Sequence, residues 1–393
     1  MFKLNDYVQI TELNSKDSLI LEAVGVCKRM NNKKRDFLFV NRHQGKHFPV
    51  SPNAILEMYH ELSDLANTIF LNERIAIVGF SETATAIAHY MASELNNCHY
   101  VIKTTREVYD NKIPLIEFKE VHSHAQTHLL YGDLEKLIRC ERIVFVEDEI
   151  TTGNTIMNFI KAFNKINAGQ VQFKYGVISI LNWQSEQDAQ MFECLGIPTV
   201  CLLRGNLIQS NVKVPNVVVS EHVVELFNNM VEGDRFGIIK PSQFKKQSAE
   251  IGNLVFNAAG LQDCFAEYDG HAIKNILVIG TEEFMYIPLQ IANFIEKKTN
   301  ADVVFHATTR SPIIPNKCSD EYAINTSEVI TSPYADRETY IYNLKRYDKV
   351  IIITDAPDVT GKFKQSMIKS LTSYGNIDIS FIRLVDKKGM GES

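Results

Sequence analysis

The chain has 393 residues, 45% of them hydrophobic and 22% charged, with a formal net charge of −6. This composition describes an ordinary globular chain with room for two or three domains, and its acidic balance argues against a protein built to coat nucleic acid. No stretch approaches the roughly 18 apolar residues of a membrane span, the first seven residues lack an apolar signal core, and the seven cysteines stand singly without a Cys-x-x-Cys pair. The expectation is a cytoplasmic chain with no disulfides, no zinc ribbon, and neither nucleic acid nor membrane as partner.

Residues 1–72 carry little regular signal at first. A short strand is expected at residues 36–40, followed by a cation-rich loop containing Asn41, Arg42, His43, Gln44, Gly45, Lys46 and His47. Lys46 and His47 could help bind an anionic substrate, or the loop could be a solvated turn. Ser51 and Pro52 cap a helix that runs to about Ile69. Residues 74–79 form the first core strand. Ser81, Glu82, Thr83, Ala84 and Thr85 then make a tight turn into a helix, with small residues that let backbone approach a ligand closely. Residues 99–103 are the second strand, and Arg106 stands just past its end. A planar guanidinium there could grip an anion in two places or pair with Glu107. Residues 111–135 are irregular and polar, and a loop of that length is usually functional or disordered.

The most informative stretch follows. Ile143, Val144, Phe145 and Val146 read as a strand buried on both faces. Glu147 and Asp148 follow at its carboxyl end. A hydroxyl-rich turn, Thr151, Thr152, Gly153, Asn154 and Thr155, then opens a helix with Ile156, Phe159, Ile160, Phe163 and Ile166 on one face. Such a junction aims unpaired backbone N–H groups and a positive helix end at one point, which is a phosphate site. Carboxylates beside a phosphate repel it unless they face the other end of the ligand. A sugar phosphate satisfies both groups, its hydroxyls donating to the acids while its phosphate sits in the turn.

Strand, acid pair and turn in this register resemble the signature for 5-phosphoribosyl 1-diphosphate (PRPP) in type I phosphoribosyltransferases. The resemblance implies that Glu147 and Asp148 hold the ribose hydroxyls and that residues 151–155 hold the 5′-phosphate. It also implies that Ser81, Glu82, Thr83, Ala84 and Thr85 are the diphosphate loop, with Arg106 neutralising the leaving group. Residues 111–135 become a flap that excludes water and brings His122 and His124 toward the diphosphate. For that pair, metal chelation and a plain exposed loop are the rival readings. Mg²⁺ would be carried mainly by PRPP, a small molecule would be the acceptor, and the protein would be a homodimer.

Strands at residues 175–181 and 198–203, with helices near 184–195 and 221–230, complete a parallel sheet covered on both faces. From residue 275 the pattern recurs. A strand ends at Gly280, a second precedes Thr308 and Thr309, and a third, residues 349–354, ends at Asp355 ahead of Thr360 and Gly361. Gly79 to Gly280, Thr105 to Thr309 and Gly153 to Gly361 are offset by 201, 204 and 208 residues. Three landmarks at nearly constant spacing indicate either an internal duplication or convergent α/β topology. Only Asp355 stands where the acid pair would be, so a second copy would be degenerate. Thr308, Thr309, Arg310 and Ser311 could hold a phosphate or carboxylate, or could be a capped strand end.

The run Thr309-Arg310-Ser311-Pro312 resembles the hallmark of the TRSP domain, found fused to phosphoribosyltransferase-like domains in bacterial gene clusters associated with tellurium resistance and stress. Gly45, Lys46, His47, Pro49 and Val50, with Glu82 to Thr85 and His122 to His124, support that subtype. The expected organisation is a cap or hood over 1–72, a phosphoribosyltransferase domain over 73–236, a helical linker over 237–270 and a smaller α/β TRSP-like domain over 271–393. One departure narrows the reaction: purine-type relatives place an Asp before the Thr-Gly pair, whereas this chain has Thr151, closer to the orotate type. The resemblance therefore implies transfer of a phosphoribosyl group from PRPP, with Mg²⁺, to a non-purine acceptor. The alternative is a PRPP- or nucleotide-binding sensor or scaffold without turnover.

Overall fold

Two sheets with parallel centres carry the chain, each fed by central strands too apolar to face water on either side. The computed structural model describes residues 4, 7–15, 19–28, 37–108, 113–119, 127–167, 171–208, 230–233, 253, 255–256, 259, 261, 273–316, 324–356 and 361–384. His122, His124, Thr360, the helix expected over 221–230 apart from Met230, and most of the linker over 237–270 lie outside the described residues.

The first sheet has eight strands. Its parallel centre consists of β4 (Ile75–Gly79), β5 (Cys98–Thr105), β8 (Arg142–Ile150), β9 (Lys174–Asn182) and β10 (Thr199–Leu207), in the order β5-β4-β8-β9-β10. Three antiparallel strands close its edges: β1 (Val8–Leu13) beside β10, and β7 (Thr127–Leu130) then β6 (Ile116–Lys119) beside β5. Helices α2 (Pro52–Ile69) and α3 (Thr85–Glu94) lie on one face, and α5 (Asn154–Asn167) on the other. Ser51 caps α2 by accepting from the Ala54 N–H, with Pro52 in the first turn as its fixed φ favours. Outside that sheet lie the short helix α1 (Leu19–Ala23) and the hairpin of β2 (Val24–Lys28) and β3 (Phe37–Asn41), called the hood below.

The second sheet is wholly parallel and smaller: β11 (Met230–Gly233), β17 (Ile379–Leu384), β16 (Lys349–Thr354), β12 (Asn275–Gly280) and β13 (Asp302–Ala307), in that order. A separate hairpin, β14 (Ser327–Thr331) and β15 (Glu338–Tyr342), stands beside it. Matching β4, β5, β8 and β9 with β12, β13, β16 and β17 gives the same strand order in both sheets. The repeat in the sequence therefore survives as shared topology. The fifth strands differ, since β10 follows its sheet in the chain and β11 precedes its own. Because β11 belongs to the second sheet, that sheet recruits chain upstream of residue 236.

One hydrophobic core spans both sheets. Ile55, Tyr59 and Leu62 of α2 and Ile87 and Met91 of α3 share it with Leu289, Ala292 and Ile295 of α7 (Tyr286–Lys298) and with Phe305 of β13. Gly45, at φ +66°, sits against Phe305, where a β-carbon would come within 2.6 Å of the ring. The close approach of hood and second sheet requires a residue without a side chain there.

Two sequence expectations need correction. Residues 111–135 are not an irregular loop throughout: β6 and β7 form a hairpin, and Leu134–Ile138 is a short helix, α4. Ile116, Phe118 and Leu130 feed the core beneath α5, a period-2 signal that the surrounding histidines and charges obscure. Strand β8 also does not stop before the acid pair but continues through it to Ile150.

A shared core predicts one cooperative unfolding transition. Phe305→Ala should cost about 3–5 kcal/mol and should shift the denaturation midpoint read by fluorescence of Trp183, in the first unit, as far as that read by circular dichroism. Two separated transitions would contradict it.

Candidate active site

The register of β4 against β8 builds the site. Gly79 pairs with Val146, and the Phe80 N–H donates to the Val146 carbonyl at 3.1 Å. The turn over 81–85 therefore leaves its strand level with Glu147 on the neighbouring strand, about 5 Å away sideways. Both features sit at the carboxyl ends of adjacent parallel strands, where open α/β sheets place their ligands.

On β8 the pleat sends alternate side chains to opposite faces. Val144 and Val146 join the core beneath α2, whereas Ile143 and Phe145 join the core beneath α5. Asp148 continues the α2 side, close enough to Tyr59 that its charge helps raise the phenol, whose larger shift comes from burial. Burial also pushes Asp148 itself up to about 6, with Glu149 adding to the shift and a Gln44 hydrogen bond opposing it. Glu147, Asp148 and Glu149 are all half-buried. The turn beyond them is open: Thr152 and Asn154 are exposed, Thr151 and Thr155 half-buried, and the Thr152 hydroxyl accepts from the Asn154 N–H at 3.3 Å. Gly153 is buried at φ +74°, where a β-carbon would strike Phe192 at 2.4 Å, so only glycine fits.

The turn after β4 is held on three sides. The Ser81 N–H donates to the Thr104 hydroxyl at 2.9 Å, and the Ser81 hydroxyl donates to the Thr104 carbonyl. The Ser81–Glu82 peptide is cis. Ala84, the cap of α3, makes no side-chain hydrogen bond to the helix end. Thr85 donates to the carbonyls of Glu82 at 3.1 Å and Glu283 at 3.0 Å. Arg106 does not pair with Glu107. Its guanidinium donates to the Ser81 carbonyl at 3.4 Å and lies 3.9 Å from Glu82. Its backbone N–H donates to the Glu283 carboxylate at 3.1 Å.

Glu82 points away from the turn. One carboxylate oxygen meets the Lys46 ammonium, and the other accepts from the Arg310 N–H at 3.2 Å. Burial raises the Glu82 carboxyl, but Lys46, Arg106 and Arg310 more than offset this and hold it below the usual carboxylate range. Lys46, with no exposed surface, also donates to the Glu282 carbonyl at 2.7 Å. Its ammonium is thus engaged inside the protein. His47 is buried beside it, and burial, with Lys46 and His306 adding, lowers its pKa to about 3.

In the second unit, Thr308 and Thr309 are buried, and Arg310 and Ser311 half-buried. Thr308 accepts from the Glu282 N–H at 3.0 Å. Arg310 contacts Glu282 at 2.6 Å, Glu283 at 3.7 Å and also Glu107, while Arg337 contacts Glu107 at 2.6 Å and Glu282 at 2.5 Å. The four cations Lys46, Arg106, Arg310 and Arg337 thus face the four acids Glu82, Glu107, Glu282 and Glu283. Sequence reasoning singled out Lys46, Glu82, Arg106 and Arg310 separately. It missed that they meet, and it missed Glu283 and Arg337 altogether. The only available signal was the correspondence of Glu282 and Glu283 with the turn after β4.

An acid pair and a hydroxyl-rich helix start on one strand, with a second small-residue turn on the next, define a domain of the phosphoribosyltransferase class. Residues 24–205 match the family model for phosphoribosyl transferase, and residues 232–371 match that for the TRSP domain C-terminal to it. The chain belongs to this two-domain phosphoribosyltransferase family. No curated protein matches it. Among solved structures, it is similar to adenine phosphoribosyl transferase from Trypanosoma brucei at 15% identity, over 56% of this chain and 96% of that one, with a TM-score of 0.38. Adenine phosphoribosyltransferase from Rhodothermus marinus matches at 13% identity over 48% and 97%, with a TM-score of 0.34. A hypoxanthine-guanine phosphoribosyltransferase from Bacillus anthracis matches at 15% over 34% and 70%, with a TM-score of 0.25.

Two outcomes follow from the charges. Lys46→Met leaves the Glu82 carboxylate short of its counterion and should cost about 3 kcal/mol in a denaturant titration; an unchanged midpoint would show the pair to be idle. A raised Asp148 pKa means the folded state holds a proton that the unfolded state has lost between about pH 4 and 6, so this group adds stability as pH falls through that window. Relative to Asp148→Asn, the parent should gain on the order of 2 kcal/mol between pH 7 and 4, and parallel stability curves would contradict this.

Proposed function

We propose that the protein transfers a phosphoribosyl group from PRPP to a small, non-purine acceptor and releases diphosphate. The observation that carries this reading is the adjacency, on neighbouring strands, of the turn over 81–85 with Arg106 and the acid pair with the turn over 151–155. A pentose bearing a phosphate at one end and a diphosphate at the other matches that spacing of charge. Thr151, Thr152, Gly153, Asn154 and Thr155 take the 5′-phosphate at the amino end of α5. Glu147 and Asp148 accept from the ribose hydroxyls and offset positive charge growing on the ring. Ser81, Glu82, Thr83, Ala84 and Thr85 offer the backbone of the turn and the uncapped start of α3 to the diphosphate, while Arg106 releases its hold on the Ser81 carbonyl to meet it.

The anomeric carbon–oxygen bond breaks with its electron pair going to diphosphate, and an acceptor nucleophile attacks from the opposite face. This chain's share is positioning and electrostatics. His122 and His124 would add donors to the diphosphate. No group of three or more His, Cys, Asp or Glu with metal-holding geometry occurs among the described residues. The hard oxygens of Glu147 and Asp148 suit a Mg²⁺ ion carried in on PRPP, where the ion would neutralise phosphate charge. Thr151 supports a non-purine acceptor, and a nucleoside-like metabolite fits as the product.

The test is diphosphate release from Mg²⁺–PRPP in the presence of a metabolite extract. Parent protein should release diphosphate, and Asp148→Asn should lose at least about tenfold in rate, one charge-assisted contact being worth roughly that much. Hypoxanthine and guanine should be poor acceptors. PRPP binding without any release would favour the sensor reading, and robust turnover of either purine would overturn the acceptor class.

A further inference from the structure

From the second unit, Arg310 reaches Glu82 of the proposed diphosphate turn, and Glu283 reaches both Thr85 of that turn and the neighbouring Arg106. Glu283 lies in the turn after β12, the counterpart of the turn after β4, so equivalent turns of the two units abut. Its carbonyl takes the Thr85 hydroxyl at 3.0 Å, and its carboxylate takes the Arg106 backbone N–H at 3.1 Å. Thr85 begins α3, and Arg106 immediately follows β5, the strand beside the turn. One residue thus pins both walls of the feature that would hold the diphosphate.

The charges require the same partnership. Glu82 brings a carboxylate next to a turn read as an anion site, where, left unpaired, it would repel diphosphate. Lys46 from the hood loop and the Arg310 N–H from the second unit take both of its oxygens. Glu283 brings another negative charge close, and Arg310 lies 3.7 Å from it. Arg310 and Arg337 in turn are anchored on Glu282, which is fully buried and also accepts from the Ser332 hydroxyl. With four positive and four negative groups, the cluster is neutral as a whole. The acid-rich wall is thereby compatible with an anionic ligand.

We propose that the C-terminal domain builds the diphosphate side of the phosphoribosyl site, with Glu283 as the residue that positions Thr85 and Arg106; this rests on the reading of the site given above. Glu283 is a positioning residue: it touches the groups that would meet the ligand, and not the ligand. Its contribution is specific to the diphosphate end, because the acid pair and the turn over 151–155 lie on β8 and α5, which Glu283 does not contact through any of these bonds.

The experiment is calorimetric titration of the full chain with Mg²⁺–PRPP and, separately, with ribose 5-phosphate, which lacks the diphosphate. Glu283→Ala should weaken PRPP by about tenfold and leave ribose 5-phosphate within about twofold of parent. Glu283→Gln keeps an oxygen acceptor for the Arg106 N–H without the charge and should stay within about twofold of parent for both ligands. If Glu283→Ala fails to show a parental melting transition, Glu283→Asp, one methylene shorter, serves in its place and should weaken PRPP selectively. Equal behaviour of the Ala and Gln variants, or equal losses for both ligands, would overturn the positioning role while leaving the site assignment intact. A parent protein that binds neither ligand would overturn the site assignment and this inference with it.

Discussion

The contact on which the arrangement turns is the buried meeting of Lys46 with Glu82 and the Glu282 carbonyl. One ammonium, with no access to water, ties the hood loop to the turn after β4 in the first sheet and to the turn after β12 in the second. Removing such a charge from water is costly, and the cost is recovered only where the surrounding partners are complete. Here they are supplied by three parts of the chain. The hood, the first sheet and the second sheet therefore have to be in place together, and the continuous core running from α2 and α3 to α7 is the apolar counterpart of the same requirement.

That constraint changes how the second domain is understood. A smaller α/β unit with the same strand order, lacking the acid pair and keeping only Asp355 at that place, invites a description as a passenger. Its own strand-end residues argue otherwise. Glu282 adopts a left-handed conformation at φ +49° while fully buried, a conformation disfavoured for a side chain of this kind unless its surroundings fix it. They do: Thr308, Ser332, Arg310 and Arg337 all bond to it. The Thr-Arg-Ser-Pro segment is thus a structural clasp on the partner domain's turn, with Arg310 held in a network of acids.

Much of the first domain was legible in sequence because its strongest signals are local. An apolar strand, two acids and a hydroxyl-rich turn in uninterrupted register carry the resemblance to the family that matches residues 24–205, and the glycine at position 153 is explained by Phe192 behind it. The spacing of Gly79, Thr105 and Gly153 against Gly280, Thr309 and Gly361 foretold the shared order of four strands. What was hidden is what depends on distance in space. Nothing local in Lys46 says that its ammonium will meet Glu82 and Glu282. The hairpin of β6 and β7 was hidden for a different reason: its alternating apolar residues lie among charges and histidines, so a short period-2 signal was lost. Strand β1 was missed because it is an edge strand, Val8–Leu13, completed by pairing with β10 some 190 residues away in sequence.

The central claim is that a single phosphorylated pentose spans two neighbouring strand ends. A crystal structure of the full chain with Mg²⁺ and PRPP tests it most directly. The account predicts the 5′-phosphate in the turn over 151–155, the ribose hydroxyls on Glu147 and Asp148, and the diphosphate against the turn over 81–85 beside Arg106. Ligand density elsewhere, or a bound sugar that leaves both acids without contact, would contradict it.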